Sequence, residues 1–262
     1  MKVALLISTY NWPKALELVL LSVQKQSILP DEVVIADDGS TESTKFLIDR
    51  FKETFPVKIK HIWHEDIGFT KTVILNKAFQ NIESNYIIQI DGDIILHKHF
   101  IKNHKTLARE NTFLFGSRVS LKQVYSKKVI KNKITKFCFL NAGLLRKTRA
   151  IYFPLFNRLI TPKAQNSSKL RGCNMSYWKK DAFAINGYNE NFVGWGYEDF
   201  DFAQRMINNN VSAKRIKQAA IQFHIYHKEA PKGNTKIGDA IQIETAQNKK
   251  IKCINGIEKL KA

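Results

Sequence analysis

Strand-length apolar runs alternate with helix-length amphipathic patterns through the first hundred residues. The runs occupy residues 2–8, 32–36, 57–63 and 86–90 and are rich in β-branched side chains. Between them, side chains that would form one buried helix face recur at helical spacing: Leu16, Val19, Leu20 and Val23; Thr44, Leu47, Ile48 and Phe51; Leu75, Phe79 and Ile82. Consecutive strands joined by helices pair in the same direction, so this pattern predicts an α/β fold with a mostly parallel central sheet.

Asp91-Gly92-Asp93 follows the fourth run and places two carboxylates at a predicted strand end. Open α/β sheets bind their ligands at the carboxyl ends of the strands. Two oxygen ligands beside a residue without a side chain suit a divalent cation that itself holds a diphosphate. For the tripeptide alone, a simple Asp-Gly turn is an equal alternative. No predicted strand is followed by a GxGxxG or GxxxxGK[ST] motif, so the usual dinucleotide and P-loop signatures are absent.

The cysteine content and the hydropathy pattern indicate a protein that is neither exported nor membrane-spanning. No apolar stretch approaches the length that crosses a bilayer, and the run at residues 3–7 is too short for a signal peptide. The three cysteines, Cys138, Cys173 and Cys253, are odd in number and far apart, which disfavours a disulfide framework and a structural zinc site. We therefore expect a cytoplasmic protein.

The formal net charge of +19 is concentrated in residues 111–180, which contain 16 Lys and Arg residues and no Asp or Glu. The basic residues are interleaved with Phe137, Phe139, Leu144, Leu145, Ile151, Tyr152, Phe153, Leu155 and Phe156. This mixture predicts docking on an anionic membrane surface, at the inner face of the cell membrane. Nucleic acid is not expected as a partner, because no helix-turn-helix, zinc-finger or RNP-like motif is present. A solvated basic face without a partner is the remaining alternative.

Three motifs stand in order at predicted strand ends: ISTYN at residues 7–11, VIADDGS at residues 34–40 and IDGD at residues 90–93. Together they resemble the amino-terminal half of family 2 nucleotide-sugar glycosyltransferases, which have the GT-A (Rossmann-like) fold. The resemblance places Thr9, Tyr10 and Asp38 at the nucleobase pocket of a UDP-sugar. From the residues alone, the segment 37–40 also fits a turn that leads into a helix cap.

The same resemblance assigns roles to further residues of the first half. It makes Asp93 a direct metal ligand and places Asp91 at the ribose or in the water shell of the metal. The segment HEDIGF at residues 64–69 is similar to a donor-site segment of one subgroup. Asp66 and Lys71 are therefore candidate nucleotide-sugar ligands, although Thr70 stands where a basic residue is common in that subgroup.

The second half carries the motif INGYNE at residues 185–190, followed by GWGYEDFD at residues 194–201. These residues resemble the acceptor and catalytic region of β-1,4-galactosyltransferases and bacterial chondroitin-type polymerases. The resemblance implies Asp199 as the general base, Glu198 as an acceptor ligand and Trp195 as a stacking platform for a sugar. Tyr197 departs from the motif, because that position is usually glycine.

The chemistry of sugar transfer also requires a carboxylate that accepts a proton and a separate cation that stabilises the departing diphosphate. Glu198, Asp199 and Asp201 are predicted in the first turn of a helix, where the helix dipole favours ionised carboxylates. That position is by itself an alternative explanation for the acidic residues, and Asp201 with Arg205 fits a simple i, i+4 pair.

The segment FHIYHKE at residues 223–229 contains two histidines, His224 and His227. On a strand they point to opposite faces, so only one is expected to reach a metal ion. The sequence around His227 resembles that of the chondroitin-type polymerases, whose metal site is completed by a histidine. We therefore predict that Asp93 and His227 bind Mn²⁺ or Mg²⁺. A histidine exposed to solvent or held by a hydrogen bond is the alternative for either position.

The sequence as a whole predicts one GT-A domain with a nucleotide-sugar-binding half (residues 1–110) and an elaborated acceptor-binding and catalytic half (residues 111–262). The second half includes a partly helical tail at residues 232–262, which packs back on the domain or touches a membrane. The predicted activity is inverting, metal-dependent transfer of a hexose or N-acetylhexosamine from a UDP-sugar to a saccharide or lipid-linked saccharide, in the synthesis of bacterial surface polysaccharide or lipooligosaccharide. A catalytically idle sugar-binding module and a basic nucleic-acid-binding protein are the alternatives.

Overall fold

The computed structural model describes residues 1–192, 194, 196–228 and 235–260. Its main element is a seven-stranded sheet in the order β10-β6-β9-β4-β1-β2-β3. The strands are β1 (Val3–Thr9), β2 (Glu32–Asp37), β3 (Ile59–Trp63), β4 (Tyr86–Asp91), β6 (Thr112–Phe115), β9 (Met175–Trp178) and β10 (Ser212–Arg215). Only β9 runs antiparallel to its neighbours, β4 and β6. The prediction of a mostly parallel sheet is confirmed.

The amphipathic patterns of the first hundred residues fold into the helices that cover this sheet. They are α1 (Pro13–Gln24), α2 (Glu42–Thr54) and α3 (Lys71–Asn81). Every apolar residue that the helical spacing selected is buried, from Leu16 in α1 to Ile82 at the end of α3. Pro13 opens α1, where its missing N–H leaves no helical hydrogen bond unmade. Strands β1, β2 and β4 are almost fully buried, as their continuous apolar runs predict, whereas β3 at the sheet edge is only partly buried and exposes Trp63.

A second, four-stranded sheet has the order β5-β11-β7-β8. It consists of β5 (Ile94–Leu96), β11 (Gln222–His224), β7 (Val119–Leu121) and β8 (Leu144–Leu145). Strand β11 pairs antiparallel with β5, which follows Asp91-Gly92-Asp93. This pairing brings the histidine segment of the second half against the first half of the chain.

The remaining helices are α4 (Phe100–Leu107), α5 (Gln123–Lys131), α6 (Lys179–Ala184), α7 (Glu198–Asn208) and α8 (Thr235–Gln247). Strands β6, β9 and β10 lie beyond residue 110 but complete the main sheet, so the two halves share one sheet. No helix in the described part of the chain has the length and apolar character needed to cross a bilayer.

Helix α7 is fixed by a buried ion pair between Arg205 and Asp201. The Arg205 guanidinium donates through Nε to Asp201 at 2.8 Å and through Nη1 to the carbonyls of Ile185 and Gly187 at 2.7 Å. Thr245 of α8 donates to the other oxygen of Asp201 at 2.8 Å. The predicted i, i+4 pair is therefore present, and it ties α7 to the preceding turn and to α8.

The tail beyond α8 packs back on the domain through Asn186. This residue is in the left-handed region, with φ 64°. Its side chain donates to the carbonyls of Cys253 and Glu258 at 2.8 and 2.9 Å and accepts from the Glu258 amide. Of the two alternatives for the tail, the structure has the one in which it packs on the domain.

The Arg205 to Asp201 pair generates a stability prediction. Replacing Arg205 by Met leaves the Asp201 carboxylate buried with Thr245 alone, which is expected to cost about 3 kcal/mol of unfolding free energy. Urea denaturation would measure it. The exposed pair of Lys52 with Asp49, 2.8 Å apart, is the matched control. Lys52→Met should change stability by less than about 0.5 kcal/mol. Equal effects of the two substitutions would contradict a structural role for the buried pair.

Candidate active site

The carboxyl ends of β1, β2 and β4 meet at one edge of the main sheet. The register aligns Ser8 with Asp91 and Thr9 with Asp37. Gly92 passes so close to Thr9 that a Cβ atom at residue 92 would lie 2.8 Å from the Thr9 hydroxyl. A glycine is required there, because any side chain would push Asp91 and Asp93 away from β1.

This edge opens into a cleft of about 640 Å³. Most of the residues predicted for the donor and metal sites line it: Thr9, Tyr10, Asp38, Lys71, Asp91, Asp93 and His227. The cleft is also lined by His224, the histidine not chosen as the metal ligand, and by Trp12, Phe69 and Arg118, for which no role was predicted. The cleft is large enough for a nucleotide-sugar.

Asp93, His224 and His227 form a trio in this cleft that could hold a cation. Their ligand atoms all lie within 4.8 Å of one another. Asp93 Oδ2 lies 3.2 Å from His224 Nε2 and 3.1 Å from His227 Nε2. Neighbouring ligands of an octahedral cation with bonds of about 2.1 Å are separated by about 3.0 Å. The other oxygen, Asp93 Oδ1, is buried without a hydrogen-bond partner among the described residues. An unsatisfied carboxylate oxygen beside two imidazoles fits a divalent cation.

The expectation that only one histidine reaches this position is wrong. It treated residues 223–227 as continuous strand, whereas β11 ends at His224. The chain then leaves the sheet, and the Ile225 amide donates to the Asp93 carbonyl at 3.0 Å. Because the alternation of a strand stops there, the imidazoles of His224 and His227 turn toward the same carboxylate, with ring centroids 5.0 Å apart.

The charges within the trio are mutually stabilising. Burial would raise the pKa of Asp93, but the hydrogen bonds and charges of His224 and His227 outweigh it and hold the pKa well below its usual value. The hydrogen bond to Asp93 raises the pKa of His227. Asp93 is therefore ionised at all ordinary pH values and is available as a ligand.

Asp91 is held by Lys71 rather than by the trio. Its Oδ1 atom accepts from Lys71 Nζ at 2.9 Å and from the Ser8 hydroxyl at 2.8 Å. The Lys71 side chain is 15% exposed. Burial would lower the pKa of Lys71, but the charges of Asp91, Asp199 and Glu198 raise it well above its usual value. Lys71 is therefore a permanent cation that contacts Asp91 and whose charge also acts on Asp199 and Glu198.

Glu198 and Asp199 begin α7, as predicted. Asp199 accepts from the Gly172 amide at 2.9 Å and from the Tyr188 hydroxyl at 3.1 Å. Burial raises the pKa of Asp199, and the charge of Lys71 limits that rise. Burial and the neighbouring Asp199 charge raise the pKa of Glu198 to about 7. The pair thus combines a carboxylate that accepts two hydrogen bonds, Asp199, with one that exchanges a proton near neutral pH, Glu198.

Tyr188 is a site residue that the sequence argument missed. Its hydroxyl contacts Asp199 and also Gln89, a fully buried polar residue in the middle of β4. Burial raises the pKa of Tyr188 well above its usual value, so the hydroxyl remains a donor. A polar Gln89 within an otherwise apolar strand was the available signal, because a buried amide requires a partner.

Residues at the proposed nucleobase end of the cleft are joined to one another by hydrogen bonds. Asp38 accepts from His64 at 2.8 Å and from the hydroxyl and amide of Thr70 at 2.7 and 3.0 Å. Tyr10, about half exposed, donates to Asp66 at 2.9 Å. Asp38 thereby fixes the loop before α3, while the Tyr10 ring is free to contact a base. Asp66 does not itself line the cleft.

The loop that precedes Glu198 contains the predicted acceptor platform, Trp195, which lies outside the described residues. Tyr197 is described, and its φ of 66° is in the left-handed region. Glycine adopts this conformation without strain, which explains why glycine is usual at this position of the motif. The tyrosine ring that replaces it is 42% exposed.

Comparison with known protein families matches most of the chain. A family model described as glycosyl transferase family 2 matches residues 4–166. A second, described as the N-terminal domain of galactosyltransferase, matches residues 161–228. The two matched ranges join at residues 161–166, after the donor-side motifs and before α7.

Among characterised relatives, chondroitin synthase of Escherichia coli is 25% identical over 250 residues, which is 87% of this chain and 35% of that protein. Chondroitin synthase of Pasteurella multocida (strain Pm70) is 23% identical over 252 residues, 87% of this chain and 25% of that protein. The chain therefore spans about a third or less of the length of these relatives.

Solved structures share the fold at low sequence identity. A mannosyltransferase from Pyrobaculum calidifontis, solved with GDP-Man and Mn²⁺, has a TM-score of 0.60 and 17% identity and covers 87% of this chain and 58% of its own. S. aureus TarS with UDP-GlcNAc has a TM-score of 0.58 and 17% identity, covering 88% of this chain and 60% of its own. The fold is thus the GT-A glycosyltransferase fold, and the match over residues 4–166 shows that the chain belongs to glycosyl transferase family 2.

Proposed function

We propose that this chain transfers a hexose or N-acetylhexosamine from a UDP-sugar to a saccharide hydroxyl, with inversion and with the help of a divalent cation. The observation that carries the proposal is the combination of a possible cation-binding trio in the cleft with a carboxylate pair at the start of α7. The trio of Asp93, His224 and His227 suits a cation. Buried Glu198 and half-buried Asp199 suit proton transfer, and the charge of Lys71 interacts with both of them and with Asp91.

The donor site of the proposal is the part of the cleft around Asp91 and Asp93. A divalent cation on the trio would hold the diphosphate and supply the positive charge that stabilises it as it departs. Lys71 adds a second positive charge beside Asp91. Thr9 and Tyr10 line the nucleotide end. The UDP-GlcNAc complex of TarS supports a UDP-sugar as the donor class.

Asp199 is the proposed general base. Single displacement with inversion requires the acceptor hydroxyl to attack the anomeric carbon from the side opposite the diphosphate, while a carboxylate removes its proton. Gly172 and Tyr188 donate to Asp199 and fix its orientation without removing its negative charge. Glu198, with its pKa raised by burial to about 7, can donate or accept a hydrogen bond to the acceptor.

The acceptor is proposed to be a saccharide or lipid-linked saccharide of a bacterial surface polysaccharide or lipooligosaccharide. Support comes from the match to the galactosyltransferase model over residues 161–228 and from the chondroitin synthase relatives, whose names denote polysaccharide synthesis. The new linkage would be β, because inversion at an α-linked nucleotide sugar gives that configuration.

Substitution of Asp199 tests the base assignment. Asp199→Asn keeps the side-chain size but removes the proton acceptor, so kcat for sugar transfer should fall by a factor of about 10² to 10⁴. Stabilisation by UDP and Mn²⁺ in a thermal-shift assay should persist, because the donor site is unchanged. Asp49→Asn on the exposed face of α2 is the control and should leave both readouts unchanged. Near-normal transfer by folded Asp199→Asn would eliminate Asp199 as the base.

Removal of each histidine tests the trio. EDTA should abolish transfer, and Mn²⁺ or Mg²⁺ should restore it. His224→Ala and His227→Ala should each weaken Mn²⁺ binding at least about tenfold, as measured by titration in the presence of UDP. His99→Ala, which removes a histidine outside the cleft, is the control. If His224→Ala bound Mn²⁺ with wild-type affinity, His224 would be a hydrogen-bond partner of Asp93 and not a metal ligand.

The pH dependence of kcat/KM tests the electrostatic role of Lys71. A base works only when ionised, and burial raises the pKa of Asp199, so activity should fall with decreasing pH well before an ordinary aspartate protonates. Lys71 lowers the pKa of Asp199, so Lys71→Met should shift this loss of activity to higher pH. Lys71→Arg keeps the charge and should stay near the wild-type profile. An unchanged profile in Lys71→Met would contradict the coupling.

A further inference from the structure

Residues 139–159 expose an unusual number of large apolar side chains. Eight of them are between 37% and 79% exposed: Phe139, Leu140, Leu145, Ile151, Tyr152, Phe153, Leu155 and Leu159. We call this segment the apolar rim. The predicted docking surface included Phe137 and Leu144, but both pack into a core cluster. A cluster of exposed apolar side chains within one short segment is typical of a binding surface.

The backbone of the apolar rim is held firmly against the domain. The Phe153 amide donates to the Gln218 carbonyl at 2.7 Å. Buried Asn157 donates to the Lys217 carbonyl at 2.7 Å and accepts from the Lys217 amide at 2.9 Å. At the other end, β8 pairs with β7 and buries Leu144. The outward direction of the apolar side chains is therefore part of the fold.

The charge around the apolar rim is of one sign. Arg146, Lys147, Arg149 and Arg158 lie within it, and none has a carboxylate within salt-bridge distance among the described residues. The Arg149 guanidinium donates to the carbonyl of Arg118 at 3.1 Å.

Arginines from other parts of the chain add to this positive surface. Burial lowers the pKa of Arg149, and the charges of Arg146, Arg215, Arg171 and Arg118 lower it further. Several guanidinium groups are thus close enough to repel one another. Such crowding is relieved by an anionic partner.

We propose that the apolar rim docks on an anionic phospholipid bilayer, with its apolar side chains entering the interface and its arginines and lysine meeting the headgroups. Apolar side chains flanked by unpaired basic residues are the combination that such an interface binds. A second copy of the chain fits less well, because a two-fold contact would oppose each arginine cluster to its own copy. A nucleic acid would use the charges but leave exposed leucines such as Leu155 and Leu159 without a partner.

Docking in this way would bring the cleft to the lipid surface. Leu145 of the apolar rim and Arg118 beside it both line the cleft. An acceptor sugar carried on a lipid could then enter from the membrane side. This consequence for the acceptor rests on the proposed function, whereas the docking itself does not.

Co-sedimentation with vesicles tests the proposal. The wild-type chain should bind phosphatidylcholine vesicles that contain phosphatidylglycerol (about three to one), and binding should fall with added salt. Leu155→Ser with Leu159→Ser should weaken binding at least about tenfold. Arg146→Gln with Lys147→Gln should weaken it about 30-fold at low salt. Equal binding of the wild type to pure phosphatidylcholine at low salt, or unchanged binding by the leucine variant, would overturn the proposal.

The matched control removes an apolar and a basic side chain from another exposed surface. Phe46 is 69% exposed, and Lys45 beside it has the Glu42 carboxylate at 3.6 Å. Phe46→Ser with Lys45→Gln should leave vesicle binding unchanged. A loss equal to that of the leucine variant would show non-specific adsorption and would also overturn the proposal.

Two further measurements test the alternative partners of the apolar rim, which are a second copy of the chain and a nucleic acid. Light scattering without vesicles would reveal a dimer, and a dimer that the leucine variant abolishes would assign the apolar rim to a second copy. Salt-sensitive RNA binding that is tighter than vesicle binding and unaffected by the leucine changes would assign the charges to nucleic acid.

UDP-sugar hydrolysis by the same variants separates the docking proposal from the proposed function. Loss of docking with hydrolysis intact overturns only the membrane inference, and docking without hydrolysis in the wild type counts only against the proposed function.

Discussion

The balance of charge around Lys71 and Asp93 is the constraint on which the site depends. Asp91, Asp93, Glu198 and Asp199 come from strand ends and from the start of α7, and burial of several like charges would be prohibitive without cations. Lys71 supplies one permanent positive charge, 2.9 Å from Asp91 and coupled to the α7 pair. Two imidazoles face Asp93, where a divalent cation would complete the balance. The proposed donor and acceptor regions are therefore electrostatically linked even though they lie about a hundred residues apart in sequence.

The position of α7 has a different physical basis, which is buried hydrogen bonding. Arg205 is almost fully buried and joins Asp201 to the carbonyls of Ile185 and Gly187. A buried guanidinium tolerates little movement, because each lost partner leaves an unsatisfied charge. Thr245 adds a contact from α8. The first turn of α7, which carries the proposed base, is thus held by groups that take no part in the chemistry.

Much of the fold was predictable because its signals are local. Helix and strand periodicity depends on neighbouring residues, and the burial of Leu16, Leu47 and Leu75 follows from it. The strand-end position of Asp93 was also local information. The error concerned His224, because the end of a strand depends on its pairing partner. Strand β11 has three residues and stops where β5 begins, at Ile94, which no pattern within residues 222–227 encodes.

The sequence by itself determined the α/β class, the order of the strand-end motifs, the helical start at Glu198 and the single-signed basic segment. These properties rest on periodicity, composition and short-range backbone preference. Only the tertiary structure decided that both histidines face Asp93, that Tyr188 and Gly172 hold Asp199, and which apolar residues of the basic segment are exposed. Those outcomes require contacts between residues distant in the chain, and such contacts exist only after the sheet has brought the segments together.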